Sequence, residues 1–193
     1  MDNIIRRTLV DSIAVKQAIL SDKQLQDTIN TVADIMVATL RSGGKVLWCG
    51  NGGSAADAQH LAAELSGRFY YDRQPLNSDA LHCNTSFLTA AANDYGYDLA
   101  YARLLKCIAS KGDILVGIST SGNSQNIINA FAVAREMGIT TVAMTGKTGG
   151  KMATTADYLI NVPSTDTPRI QEAHITIGHA ICEQIEATMF PRP

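Results

Sequence analysis

"KVLWCGNGGSAADAQHLAAEL", residues 45–65, passes from a short apolar run through three glycines into a segment rich in alanine and leucine. "KVLWCG" reads as a buried strand and "SAADAQHLAAEL" as a helix, so Gly50-Asn51-Gly52-Gly53-Ser54 is a strand-to-helix turn. Repetition of this unit decides the fold. "DILVGIS" (113–119) is a second apolar run, leading through "TSGNS" into the helix "QNIINAFAVAREMG". "TTVAMTG" (140–146) is a third, "DYLINVP" (157–163) a fourth, and "SDALHC" (78–83) a weaker one between the first two. Short buried runs alternating with helices indicate an α/β fold whose parallel sheet is covered on both faces.

The ends of the chain read as helix. Leu25, Ile29, Val32, Met36 and Leu40 recur at helical spacing; Ser21 with Gln24 fits a capping box at the start, and Gly43-Gly44 stops the segment. Residues 1–43 therefore form a helical hairpin ahead of an α/β core at 44–193, within one domain spanning 1–193. The hairpin is not needed to wind the sheet, so its apolar stripe calls for cover from the same subunit or from a partner. At the other end Thr167 reads as an N-cap and Pro168 as the first helical residue of a helix reaching about Met189.

Composition narrows the function classes. At 193 residues, 46% apolar and 18% charged, the chain has ordinary globular values. A formal charge of −2 gives no electrostatic basis for binding nucleic acid or an anionic membrane. The longest strongly apolar run, 114–118, is far too short to span a bilayer, and "MDNIIRR" lacks the order of a signal peptide. A cytoplasmic location is expected. Cys49, Cys83, Cys107 and Cys182 form no CxxC pair, which argues against a zinc ribbon or disulfide framework and for buried, reduced thiols.

Open α/β sheets bind ligands beyond the carboxyl ends of their strands, where helix N-termini aim N–H groups at anions. Two turns suit anion binding. One is Gly50 to Ser54, and the other is Ser119-Thr120-Ser121-Gly122-Asn123-Ser124 with its four hydroxyls. Gly50, Gly52 and Ala55 formally fit a dinucleotide fingerprint, but no acidic residue closes a second strand about twenty positions on. Gly146-Lys147-Thr148 resembles the end of a P-loop, yet the position of its first glycine is Thr141, inside a strand. Both readings fail. On the helix after the first turn, His60 and Glu64 are spaced i, i+4 and share a face. Gln171 and His179 are eight apart on the last helix, roughly 80° around its axis, so both can face one site. Histidine, carboxylate and amide oxygen make a zinc set with one unusual ligand. His82 and His174 read as packing or surface residues.

"CGNGGSAADAQHLAAELSGR", "AANDYGYD", "GISTSGNS", "TGKTGGKMA" and "RIQEAHITIGH" together resemble the bacterial phosphoheptose isomerase family, a branch of the sugar-isomerase (SIS) fold. The likeness covers nearly the whole chain. It implies a flavodoxin-like three-layer sandwich on a mainly five-stranded parallel sheet. It also implies an aldose–ketose isomerase taking sedoheptulose 7-phosphate to D-glycero-D-manno-heptose 7-phosphate, the first step toward ADP-heptose and lipopolysaccharide core. A homotetramer with active sites between subunits and one zinc per subunit is implied as well. The family's metal positions fall on His60, Glu64, Gln171 and His179. Its sugar-phosphate positions fall on Asn51, Gly52, Gly53, Ser54, Glu64, Asn93, Asp94, Ser119, Thr120, Ser121, Ser124 and Gln171, and Arg68 also matches. Glu64 then serves as base and His179 as acid for an enediol route. Two departures stand out: Asn84-Thr85-Ser86 where the family often has Asp-Thr-Ser, and Trp48 in place of a smaller residue.

Two other classes share the resemblance. One is a replication-initiator-binding SIS protein without isomerase activity, which the tail "IEATMFPRP" resembles; it carries serine where this chain has Glu64, and Glu64 with His179 favours the enzyme. The other is a sugar-phosphate sensor within a transcription regulator, against which stands the lack of a basic patch.

Overall fold

The five apolar runs become one parallel sheet. In the computed structural model, which describes residues 3–192, the strands are β1 (Val46–Gly50), β2 (Ser78–Ala80), β3 (Ile114–Ser119), β4 (Thr140–Thr145) and β5 (Tyr158–Asn161). Their order is β2-β1-β3-β4-β5, every neighbouring pair parallel. β1 and β3 are buried along their whole length, as runs covered on both faces must be. The weak run at 78–83 yields only a three-residue edge strand, with Ser78 opposite Val46.

The helices are α1 (Ile4–Ser21), α2 (Lys23–Arg41), α3 (Gly53–Ser66), α4 (Thr85–Tyr95), α5 (Tyr97–Ile108), α6 (Gln125–Met137) and α7 (Thr167–Met189), with a 3-10 turn at Gly150–Thr154. The pleat divides the core in two. Val46, Trp48, Ile114 and Val116 pack with α2, α3 and α7, while Leu47, Cys49 and Leu115 pack with α5 and α6 on the opposite face. The result is the three-layer sandwich expected. Trp48 is accommodated because its indole N–H donates to Ser78 Oγ at 3.0 Å, so its bulk is buried without an orphaned donor.

In α2 the predicted stripe is real: Leu25, Val32, Met36 and Leu40 are buried, each contributing about 1.5–3 kcal/mol, and Ile29 is half-buried. α1 differs, with no buried residue and with Ile5, Leu9 and Ile13 exposed.

Several local expectations need correction. The cap of α2 is Asp22, whose Oδ1 accepts from Leu25 N at 3.0 Å; Ser21 closes α1 and its hydroxyl turns back to Gln17 O. A carboxylate competes for that role as well as a hydroxyl does. The cap of α7 is Asp166, so Thr167 already lies inside the helix. Cys49 and Cys182 are buried, but Cys83 and Cys107 are exposed. Residues 84–112, for which no element is expected from the sequence, form α4 and α5, divided at Gly96 with φ of +84°. Asn84 caps α4 by accepting from Phe87 N at 3.0 Å, a role asparagine fills as well as aspartate. Among the described residues no helix is long and apolar enough to cross a membrane.

Candidate active site

In a sheet of order 2-1-3-4-5 the crevice opens between β1 and β3, where the strand order reverses. The glycine turn follows β1 and the serine loop follows β3, so both line that crevice.

The glycine turn needs its glycines for space and for backbone. Gly52 sits at φ +57°, and a Cβ on Gly53 would stand 2.6 Å from Gln171 Nε2. The amide of Gln171 thus lies directly against the turn. Side chains from other elements fix the turn. Asn51 and Asn126 exchange amide hydrogen bonds at 2.9 and 3.0 Å, Tyr97 Oη donates to Asn51 Oδ1 at 2.9 Å, and Tyr101 Oη donates to Gly50 O. Burial pushes the Tyr101 phenol far up, with Tyr97 adding to it, so it remains a donor at any working pH. The supporting roles of Asn126, Tyr97 and Tyr101 are not visible in the sequence. Of the three, only Tyr97 falls in a motif shared with the family, "AANDYGYD", three residues after Asp94.

The serine loop concentrates hydroxyls. Ser119 Oγ is 2.8 Å from Ser124 Oγ and 3.5 Å from Ser121 Oγ, and Ser121 Oγ accepts from Asn123 N at 3.2 Å. Ser124 is the N-cap of α6 yet makes no side-chain bond to its helix, which leaves the hydroxyl cluster and the first helical N–H groups for an anion. The turn after β4 buttresses this loop: Met152 N donates to Gly122 O, Lys151 N to Asn123 Oδ1 and Gly146 N to Thr120 O. Ser54 is buried at the start of α3.

His60, Glu64 and His179 meet although 119 positions separate the histidines. The two helices approach closely because α7 presents Gly178, where a Cβ would lie 2.4 Å from Leu61 Cδ1. His60 Nε2 is 3.1 Å from His179 Nε2 and 3.2 Å from Glu64 Oε1, and the three ligand atoms all lie within 4.8 Å of one another. Two atoms each bound to a tetrahedral ion at ~2.0–2.1 Å stand about 3.3 Å apart, so two imidazoles and a carboxylate at this spacing fit one metal ion. His60 is half-exposed and Glu64 mostly covered, leaving the site open on one side. One turn before His60, Asp57 has a buried Oδ2 without a partner; burial raises its carboxyl pKa while His60 pulls it down.

Gln171 precedes His179 by eight residues on α7, roughly 12 Å along the helix axis, and its amide stands against the glycine turn. Asn93 donates to the adjacent Asp94 at 2.9 Å, and both are exposed at the end of α4. Arg68 is exposed beyond the end of α3. His174, by contrast, is fully buried: its Nε2 faces Thr145 O at 3.1 Å, a packing role that ties α7 to β4.

Comparison with known proteins gives these features a context. The model of the SIS domain family matches residues 12–146. The phosphoheptose isomerase of Mycobacterium tuberculosis is 55% identical over 94% of this chain and 92% of its own. That of Aneurinibacillus thermoaerophilus is 52% identical over 98% and 96%. The solved phosphoheptose isomerase of Neisseria gonorrhoeae superposes with a TM-score of 0.89 at 43% identity, covering 95% of this chain and 97% of that one. Kinship with isomerases at this level displaces the initiator-binding alternative, and the chain acts as a sugar-phosphate isomerase. It belongs to the SIS-domain family, in the branch of the phosphoheptose isomerases.

Proposed function

We propose that the chain interconverts sedoheptulose 7-phosphate and D-glycero-D-manno-heptose 7-phosphate through an enediol, supplying the heptose for ADP-heptose and lipopolysaccharide core. The observation that carries this reading is the meeting of His60, Glu64 and His179 in a fold whose switch-point loop is lined with hydroxyls. The loop grips the phosphate through Ser119, Thr120, Ser121 and Ser124, so binding energy from the far end of the sugar fixes the reacting end. Asn51, Gly52, Gly53, Ser54 and Gln171 hold the chain of hydroxyls along the glycine turn, and Asn93 and Asp94 approach from the exposed end of α4.

Glu64 as carboxylate takes a proton from C1 of the ketose and returns it to C2, while His179 carries the hydroxyl proton from O1 to O2. Atoms balance: one C–H and one O–H are broken and remade, and no electrons leave the sugar. His60, Glu64 and His179, with Gln171 as the fourth ligand of the resemblance, would hold one zinc per subunit. When bound, zinc supplies a Lewis acid for the carbonyl and the enediolate.

The exposed apolar face of α1 and the exposed Asn93-Asp94 pair support an assembly whose subunits complete each other's sites, which the resemblance makes a homotetramer of the cytoplasm. Incubation of the purified protein with sedoheptulose 7-phosphate, followed by NMR, is expected to show the aldose; a spectrum unchanged after long incubation with zinc refutes the proposal.

A further inference from the structure

α3 carries Glu64 in its last turn, where carbonyl groups have no partner inside the helix. Arg73, in the segment after α3, fills that role from a buried position. Its side chain is 2% exposed, Nη2 donates to Glu64 O at 2.8 Å, and Nη1 donates to Leu65 O at 2.7 Å and Gly67 O at 2.9 Å. A guanidinium at a helix C-terminus also matches the sign of the helix dipole.

Arg73 Nε donates to Glu186 Oε1 at 3.1 Å, and Glu186 is only 1% exposed. Glu186 lies on α7, two helical turns beyond His179 and on the same side of the helix. Its carboxylate accepts from Phe69 N at 2.9 Å and Tyr70 N at 2.7 Å. Burial pushes this carboxyl up, but those two N–H bonds and Arg73 outweigh it and hold it below the ordinary range. The Phe69 ring, pinned by its own N–H, stands 5.7 Å from the His179 ring.

A buried ion pair is a poor source of stability, since desolvation offsets its attraction, and a well-packed apolar pair often does as well. An apolar pair, however, cannot bond the Glu64 carbonyl from one end and the Phe69 N–H from the other. We propose that Arg73 and Glu186 are positioning residues: the buried pair locks the last turn of α3 against α7 and so sets the spacing of Glu64 and His60 from His179. The proposal rests on the reading of those three residues as the reacting end of the site.

Two variants of the full chain test it. Arg73→Lys keeps the charge but loses the planar fork. Arg73→Gln combined with Glu186→Gln removes both charges together, so neither is left buried alone. Each is checked for folding by thermal unfolding, stripped of metal, titrated with Co2+ by visible absorption, and assayed with saturating zinc. The expected result in a folded variant is Co2+ binding weakened about 10–100-fold with shifted absorption bands, and kcat lowered on the same scale while KM stays within about twofold. A pair that only stabilises the fold would lower the unfolding temperature and leave Co2+ affinity, bands and kcat unchanged; that outcome in either folded variant overturns the proposal. If the unmutated protein neither binds Co2+ nor isomerises, the reading of the site fails and the clamp falls with it. Normal wild-type behaviour beside unaltered variants removes the clamp alone.

Discussion

The two ends of the proposed site are built by different means. The anion end is local: Ser119 to Ser124 is one loop between β3 and α6, and its hydroxyls meet because six consecutive residues turn together. The reacting end is tertiary: His60 and Glu64 come from α3 and His179 from α7, and they meet only because Gly178 lets Leu61 approach. A local site survives small shifts between elements, whereas a tertiary one is only as accurate as the packing that holds it. Damage to the reacting end should therefore appear in kcat and metal affinity, and damage to the anion end in KM.

The largest effect is expected at Glu64. Glu64→Gln keeps the shape and a possible metal contact but cannot accept the proton from carbon, so kcat should fall by about 10²–10⁴. Metal content must be measured on the same sample, because loss of zinc would produce a similar drop. Wild-type turnover in a variant that retains its metal would remove Glu64 as the base.

A smaller effect follows from His174, which anchors α7 to Thr145 O. Burial pushes its imidazole down to about 4, with the Thr145 bond opposing only in part, from an ordinary value of 6.5. Between those values the unfolded chain takes up a proton that the folded chain refuses. Stability is therefore full above about pH 6.5 and declines as pH falls toward about 4, by about 3 kcal/mol in all. His82, half-buried and also lowered by desolvation, adds a smaller slope of the same sign. His174→Gln should unfold at lower temperature at neutral pH, yet show a flatter decline across the acid window than the unmutated protein. Equal slopes in the two proteins would mean that His174 is not held neutral by burial.

The smallest effect belongs to the anion end. Each hydrogen bond to a charged group contributes about 1.5–3 kcal/mol, so Ser121→Ala should raise KM about tenfold or more while leaving kcat near wild type. An unchanged KM places the phosphate elsewhere, and a drop in kcat alone would erase the distinction between the two ends.

What the sequence discloses follows the same division. Four of the five strands are legible because β1, β3, β4 and β5 are largely apolar runs, β2 being only weakly so, and both turns are legible because glycine and serine cluster in a few residues. The i, i+4 spacing puts His60 and Glu64 on one face and the spacing of eight lets Gln171 and His179 face one site, but only the resemblance to a family joins the two pairs. Arg73 and Glu186, 113 positions apart, look like ordinary surface charges until the fold buries them against each other. α4 is silent in the sequence for a physical reason: only Ala91 is buried in it, so it carries no apolar stripe. The caps at Asp22 and Asp166 each lie one residue from the expected position because serine, threonine and aspartate compete for the same geometry at adjacent positions.

The central claim, that Glu64 moves a carbon-bound proton at the reacting end, is tested most directly by solvent deuterium. The zinc-loaded protein is allowed to turn over sedoheptulose 7-phosphate in D2O, and the sugars are examined by NMR. A proton held on a carboxylate at the open side of the site exchanges with solvent, so deuterium is expected at C2 of the aldose and at C1 of the remaining ketose, and at neither position with zinc-bearing Glu64→Gln. Aldose formed at full rate without deuterium at C2 would indicate a hydride shift and contradict the account.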